Sequence, residues 1–222
     1  PAKSAFSIGF LTGYEMDWLP AVMNILRGKL PSTEITIRSE DSPDLAAALT
    51  RGKIDLAFMR PEKSAAGLQF KLLRHDPILA MMPRDHPLAA RSAVRPKDLA
   101  GQSYIGVSAA RAPTLRSAIN DFFTRHGLAM EVAHQAENLA MAISLIASTG
   151  GICLLPLYAQ NLLPKTIVCR PIQGAPPLVD DLRYQKPAAK AAPEQQVVRS
   201  DRLEGGDEYA FLKIRYKKPD SD

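Results

Sequence analysis

The sequence predicts an α/β protein of two lobes, each a mainly parallel sheet flanked by helices. Two observations carry that prediction. Short apolar runs alternate with stretches of helical periodicity, which is the spacing of parallel strands joined by crossover helices. The alternation also occurs twice, before and after Pro77, and 222 residues are enough for two small lobes.

The first sixty residues read β-α-β-α-β. Phe6-Ser7-Ile8-Gly9-Phe10-Leu11 alternates and then runs apolar, as a buried strand does. Leu19, Val22, Met23 and Leu26 recur at helical spacing, with Pro20 expected in the first turn, where proline is tolerated. Ile35-Thr36-Ile37 is a short strand. Ser42-Pro43-Asp44 resembles a helix start, with a capping hydroxyl, proline at the first helical position and a carboxylate at the positive end. Leu45, Ala48 and Leu49 give that helix its apolar face, Gly52 ends it, and Ile54 to Met59 form the third strand.

The second lobe repeats the pattern. Pro77 to Pro83 and Tyr104 to Val107 are strand-like, and a helix from about Thr114 to His126 buries Leu115, Ile119, Phe122 and Phe123. Glu137-Asn138 opens a helix that is apolar on nearly every side (Leu139, Met141, Ile143, Leu145, Ile146) and is therefore expected to be buried all round. Gly150-Gly151 stops it before the strand Ile152 to Leu155. With crossings near Pro77 and Pro156, lobe I comprises 1–77 and 157–182 and lobe II 78–156. The stretch 183–222 is an atypical tail, irregular over about 186–208, with one strand-like run from Tyr209 to Tyr216.

Composition narrows the function classes. No run approaches the ~18 apolar residues that cross a bilayer, and no signal-peptide pattern opens the chain. Two cysteines, Cys153 within an apolar run and Cys169, fit a reducing compartment, hence a cytoplasmic protein with a buried thiol. The net charge of +5 is spread without a basic block or a nucleic-acid signature, so it reads first as a solvated surface, with an anionic ligand or weak proximity to DNA as the alternative. There is no Gly-x-Ser-x-Gly elbow, phosphate loop or dinucleotide fingerprint. The four histidines lack metal-ligand spacing, and Asp44 and Asp55 have structural roles, so neither catalysis, a metal nor a cofactor is expected.

What remains is a binding pattern. Thr12-Gly13, Ser42-Pro43, Ser108 and Asn138 each place a small hydroxyl or amide just after a strand, at a helix start. Ligands of open α/β sheets sit at the carboxyl ends of strands, where helix N-termini offer unpaired N–H groups. In two facing lobes these turns would line a cleft suited to a small carboxylate, with Arg60, just past the third strand, supplying a charge-assisted hydrogen bond. Simple helix capping is the competing explanation for each residue singly.

Phe10-Leu11-Thr12-Gly13, the stretch Leu49 to Phe58, the segment Leu79-Ala80-Met81-Met82-Pro83-Arg84-Asp85-His86-Pro87-Leu88-Ala89 and the run Ile146 to Pro156 resemble the effector domains of LysR-type transcription regulators over roughly residues 4–177. The resemblance implies the type 2 periplasmic-binding-protein fold and the sensing of a small effector, a carboxylate or aromatic acid, to control transcription. It places Thr12, Ser42, Pro43, Arg60, Ser108 and Asn138 in or beside the effector cleft. It implies a homodimer or tetramer, with the helices of Leu19–Leu26 and Leu115–Phe123 similar to the family's pairing helices. Operator DNA would be bound only through a helix-turn-helix that this chain lacks. A transporter's solute-binding protein, or an enzyme such as a prephenate-type dehydratase, would share the fold. Leu178–Gln185 and Leu212–Pro219 are similar instead to the C-terminal piece of bacterial von Willebrand A-domain proteins.

Overall fold

The computed structural model describes residues 5–174 and 178–185. The strand-like run from Tyr209 to Tyr216 and the irregular stretch 186–208 lie outside the described residues. The chain opens with β1 (Ala5–Leu11), α1 (Tyr14–Lys29), β2 (Glu34–Glu40), α2 (Ser42–Thr50) and β3 (Leu56–Met59). These make a parallel sheet with β1 between β2 and β3. A long strand, β4 (Gln69–Pro83), then leaves this sheet and enters the second. There follow β5 (Tyr104–Val107), α3 (Pro113–Arg125), β6 (Val132–Ala136), α4 (Leu139–Thr149), β7 (Ile152–Pro156), β8 (Ile167–Arg170) and β9 (Leu178–Gln185).

The strands run in the order β2-β1-β3-β9-β4-β7-β5-β6, with β8 beside β4. Parallel pairing, expected to predominate in each lobe, joins the strands connected through helices: β1 with β2 and β3, and β5 with β6 and β7. The strands that pass between lobes pair antiparallel, β9 with β3 and β4, and β4 with β7 and β8. A strand that crosses to the other lobe and back returns in the opposite sense, so the crossing makes the sheet mixed.

Two apolar cores result. Phe10, Trp18, Leu26, Leu49 and Phe58 centre the first, and Ile105, Ile119, Phe122, Ile146 and Leu154 the second. Phe10 stacks on Phe58 at 4.9 Å between centroids, a contact worth about 1 kcal/mol beyond burial. The thiol of Cys153 is fully buried in the second core, and burial pushes its pKa up to about 12. Asp55 accepts the Ser7 N–H at 2.8 Å, the structural role expected of it.

Several expectations need correction. The helix α1 starts at Tyr14, so Pro20 sits in its second turn, on an exposed face. Early initiation follows from Gly13, which adopts φ +99° and turns the chain sharply from β1 into the helix. Asp41, not Ser42, is the N-cap of α2, so Ser42 and Pro43 occupy its first two helical positions. The helix α4 buries only Ala142 and Ile146, and Met141 is 41% exposed, because one face alone meets the sheet. Nor does the chain rejoin the first sheet at Pro156. The strand β8 extends the second sheet beside Ala80–Pro83, and the return comes with β9, which takes residues 183–185 out of the tail.

Candidate functional site

The carboxyl ends of β1, β3, β5 and β6 and the loops after them face a cleft between the lobes. About 540 Å³ of space lies within it when open solvent at its mouth is counted, of which about 60 Å³ admits the centre of a water molecule. The first lobe contributes Leu11, Thr12, Asp41 and Arg60. The second contributes Ser108, Arg111 and Leu115 from the β5–α3 side, and Glu137, Asn138 and Leu139 at the start of α4. Leu155, Pro156 and Tyr158 close the wall where the chain leaves β7.

Arg60 dominates the chemistry. It is 3% exposed, and its guanidinium lies between two phenol rings, 5.8 Å from the Tyr14 centroid and 5.7 Å from that of Tyr158. Nη2 donates to the Tyr158 hydroxyl at 3.3 Å, while Nε has no partner. Arg60 enters no ion pair among the described residues, so its positive charge is buried without a carboxylate in contact. The Ser42 hydroxyl accepts the Arg60 backbone N–H at 3.2 Å and thereby anchors the residue to the start of α2.

Behind Arg60, where β4 and β9 cross between lobes, lies a buried network of charges. The Tyr14 hydroxyl donates to Asp181, whose other oxygen accepts from Arg74 Nε at 2.7 Å. Arg74 Nη2 reaches Asp17 at 3.0 Å and lies 3.7 Å from Asp76. Asp76 and Asp181 are both fully buried. Burial, reinforced by Asp181, raises Asp76 to about 6 against the pull of Arg74, so this carboxyl titrates near neutrality. Burial likewise raises Glu62, two residues beyond Arg60, to about 7.

At the mouth the lobes touch. Arg111, carried after β5, pairs with Asp44 at 3.3 Å and Asp41 at 3.6 Å on the first lobe. The Thr114 hydroxyl donates to the Pro61 carbonyl at 2.5 Å. Thr12, Arg60, Ser108 and Asn138 thus come together on the cleft as the sequence suggested, whereas Ser42 and Pro43 do not line it. Asn138 also caps α4 by accepting the Met141 N–H at 2.9 Å. The expected histidine roles are ordinary: His86 accepts the Leu88 N–H, and His75 pairs with Asp180. No metal-ligand group occurs among the described residues.

Sequence reasoning missed Asp41, Arg111, Glu137 and Tyr158. Glu137 was legible as the neighbour of Asn138 at a helix start. Tyr158 was not, since nothing local says that the 3-10 turn Leu157–Leu162 folds back onto Arg60.

The model of the LysR substrate binding domain matches residues 2–192. This chain belongs to that family. The match runs through β9, so Leu178–Gln185 is part of the LysR domain, as its place between β3 and β4 requires, and not a von Willebrand A-type piece. The HTH-type transcriptional regulator CatR of Pseudomonas putida is 31% identical over 154 residues, 69% of this chain and 53% of CatR. The Hca operon transcriptional activator HcaR of Escherichia coli K12 is 25% identical over 173 residues, 78% of this chain and 58% of HcaR. The chain therefore spans somewhat over half the length of these relatives. The BenM effector binding domain, solved with its effector benzoate, has the same fold, with a TM-score of 0.73, 21% identity and coverage of 86% of this chain and 87% of that one. Among the described residues no helix is long and apolar enough to cross a membrane.

Proposed function

We propose that this chain is the effector-sensing part of a transcription regulator and that a small carboxylate binds between its lobes on Arg60. The observation that carries the reading is the Arg60 guanidinium, which is buried on the cleft wall with Nε unpartnered and no carboxylate paired to it. Burial disfavours the charged form, Asp181 favours it through space, and an incoming anion would add the partner in contact that Arg60 lacks. Thr12, Ser108 and Asn138 are the neutral polar groups positioned to orient the ligand, with Leu11, Leu115, Leu139 and Leu155 against its apolar part. Ser42 acts indirectly, by fixing the Arg60 backbone. CatR and HcaR are transcriptional regulators, and BenM's domain takes benzoate, which supports both halves of the reading. It also favours a sensor over a transporter's binding protein or an enzyme. Operator contacts would fall to the portion of such regulators that this chain does not span. A symmetric dimer, the commonest assembly of like chains, belongs to the same proposal and is read by light scattering at micromolar concentration.

The test is titration calorimetry of the chain with a set of small aliphatic and aromatic carboxylates at pH 7.5. The expected result is saturable 1:1 binding by at least one of them, lost when its carboxylate is replaced by the neutral amide. Equal binding of acid and amide would refute the reading.

A further inference from the structure

The two ends of the cleft carry opposite charge. Its inner wall holds Arg60, 3% exposed, with Nε unpartnered. Its mouth holds carboxylates contributed by both lobes: Asp41 at the N-terminus of α2 and, across the opening, Glu137 at the N-terminus of α4. The two are near enough for Glu137 to help raise the Asp41 pKa, although burial is the larger cause. Among the described residues one cation pairs with carboxylates here, Arg111, shared between Asp44 at 3.3 Å and Asp41 at 3.6 Å, while Arg60 acts on Asp41 only through space. Glu137 accepts a hydrogen bond from the neutral Gln135 amide at 3.1 Å and enters no ion pair among the described residues. Three carboxylates thus have one guanidinium in contact among the described residues. The two helix N-termini offset about half a charge each, which leaves the mouth net negative. Between the two ends the lining is aliphatic, from Leu11, Val107, Leu115, Leu139 and Leu155.

We infer that the effector is bipolar: a carboxylate that pairs with Arg60, an aliphatic or aromatic body, and a protonated amine that reaches Asp41 and Glu137. The inference rests on the carboxylate-sensing reading and narrows it. A plain monocarboxylate leaves the acidic mouth unmatched. A dicarboxylate brings its second charge against Asp41 and Glu137, and like charges placed together count against a ligand as strongly as good contacts count for it. An ω-amino acid satisfies both ends, and its amine gains a charge-assisted hydrogen bond where the wall already carries the matching charge.

Two matched series test the inference by calorimetry on the whole chain at pH 7.5: hexanoate, 6-aminohexanoate and hexanedioate, then benzoate, 4-(aminomethyl)benzoate and terephthalate. The amino member of at least one series should bind about tenfold tighter than its parent acid or better, as for one hydrogen bond between charged groups. The diacid should be the weakest of the three. Glu137→Lys, a change at an exposed position compatible with folding, should reverse the order of amino acid and diacid. Binding of all members through Arg60 with no preference for the amine, or with the diacid tightest, would overturn this inference and leave carboxylate sensing standing. No binding in either series, or affinity unaffected by Arg60→Met, would overturn both.

Discussion

Replacing Arg60 by methionine separates binding from folding. Methionine keeps the apolar stem and fills most of the space between Tyr14 and Tyr158, so the packing change is small. Lost with the guanidinium are two ring contacts, at 5.8 and 5.7 Å, worth roughly 0.5–2 kcal/mol each. Lost too is the 3.3 Å bond to the Tyr158 hydroxyl, worth about 1 kcal/mol. Against this stands the desolvation of a buried ion, several kcal/mol, which the variant no longer bears. Asp76 and Asp181 lose a nearby cation, but a raised carboxyl answers by taking up a proton. The balance is a stability change within about 2 kcal/mol of zero. Carboxylate binding, by contrast, loses its charge partner, at about 2–5 kcal/mol or at least thirtyfold in Kd. Urea denaturation and titration calorimetry on the same preparation read the two quantities. A loss of more than about 3 kcal/mol in stability with unchanged affinity would make Arg60 a structural anchor and refute the reasoning.

Three further perturbations follow from the geometry. Asp76, raised to about 6 when folded, keeps a proton that the unfolded chain releases from about pH 4, so its contribution to stability declines as pH rises from about 4 to 6. Asp76→Asn should therefore be more stable than wild type at pH 8, by up to about 3 kcal/mol, with the gap closing towards pH 4; parallel stability–pH curves would contradict this. Gly13→Ala should cost about 2 kcal/mol or more in denaturation experiments, since φ is +99° and the new Cβ would sit 2.6 Å from Tyr158 Cε2. Asn138→Ala and Ser42→Ala should each lose about 1 kcal/mol of stability. Calorimetry should show the larger fall in affinity for Asn138→Ala, because Asn138 lines the cleft and Ser42 lies behind it.

The sequence exposed the parts of the fold that local patterns encode. The alternating run before Gly13, the apolar face of α2 and the Gly150 stop of α4 each follow from nearest-neighbour chemistry, and each is present. Misjudged were features set by distant partners. The helix α4 looked wholly buried because its residues are apolar, yet a single sheet covers only one side of it. Ser42 looked like a cap because Pro43 follows it, yet Asp41 holds the N-cap position of α2 and the hydroxyl turns inward to Arg60, eighteen residues away in sequence. The charge network of Arg74, Asp76 and Asp181 was invisible because Asp181 on β9 follows Arg74 on β4 by 107 residues, and nothing near Asp181 names its partners. For the cleft, helix-start hydroxyls and amides indicated the right walls through Thr12, Ser108 and Asn138. The opposed charges at its two ends emerge only when both lobes are placed.

The central claim is that an anion sits on Arg60 between the lobes, and a crystal structure of the chain grown with a carboxylate that binds in calorimetry tests it most directly. The account predicts carboxylate oxygens about 2.7–3.0 Å from the guanidinium, with the ligand body between Leu11 and Leu139. A ligand seated anywhere else, with Arg60 still bare, would contradict it.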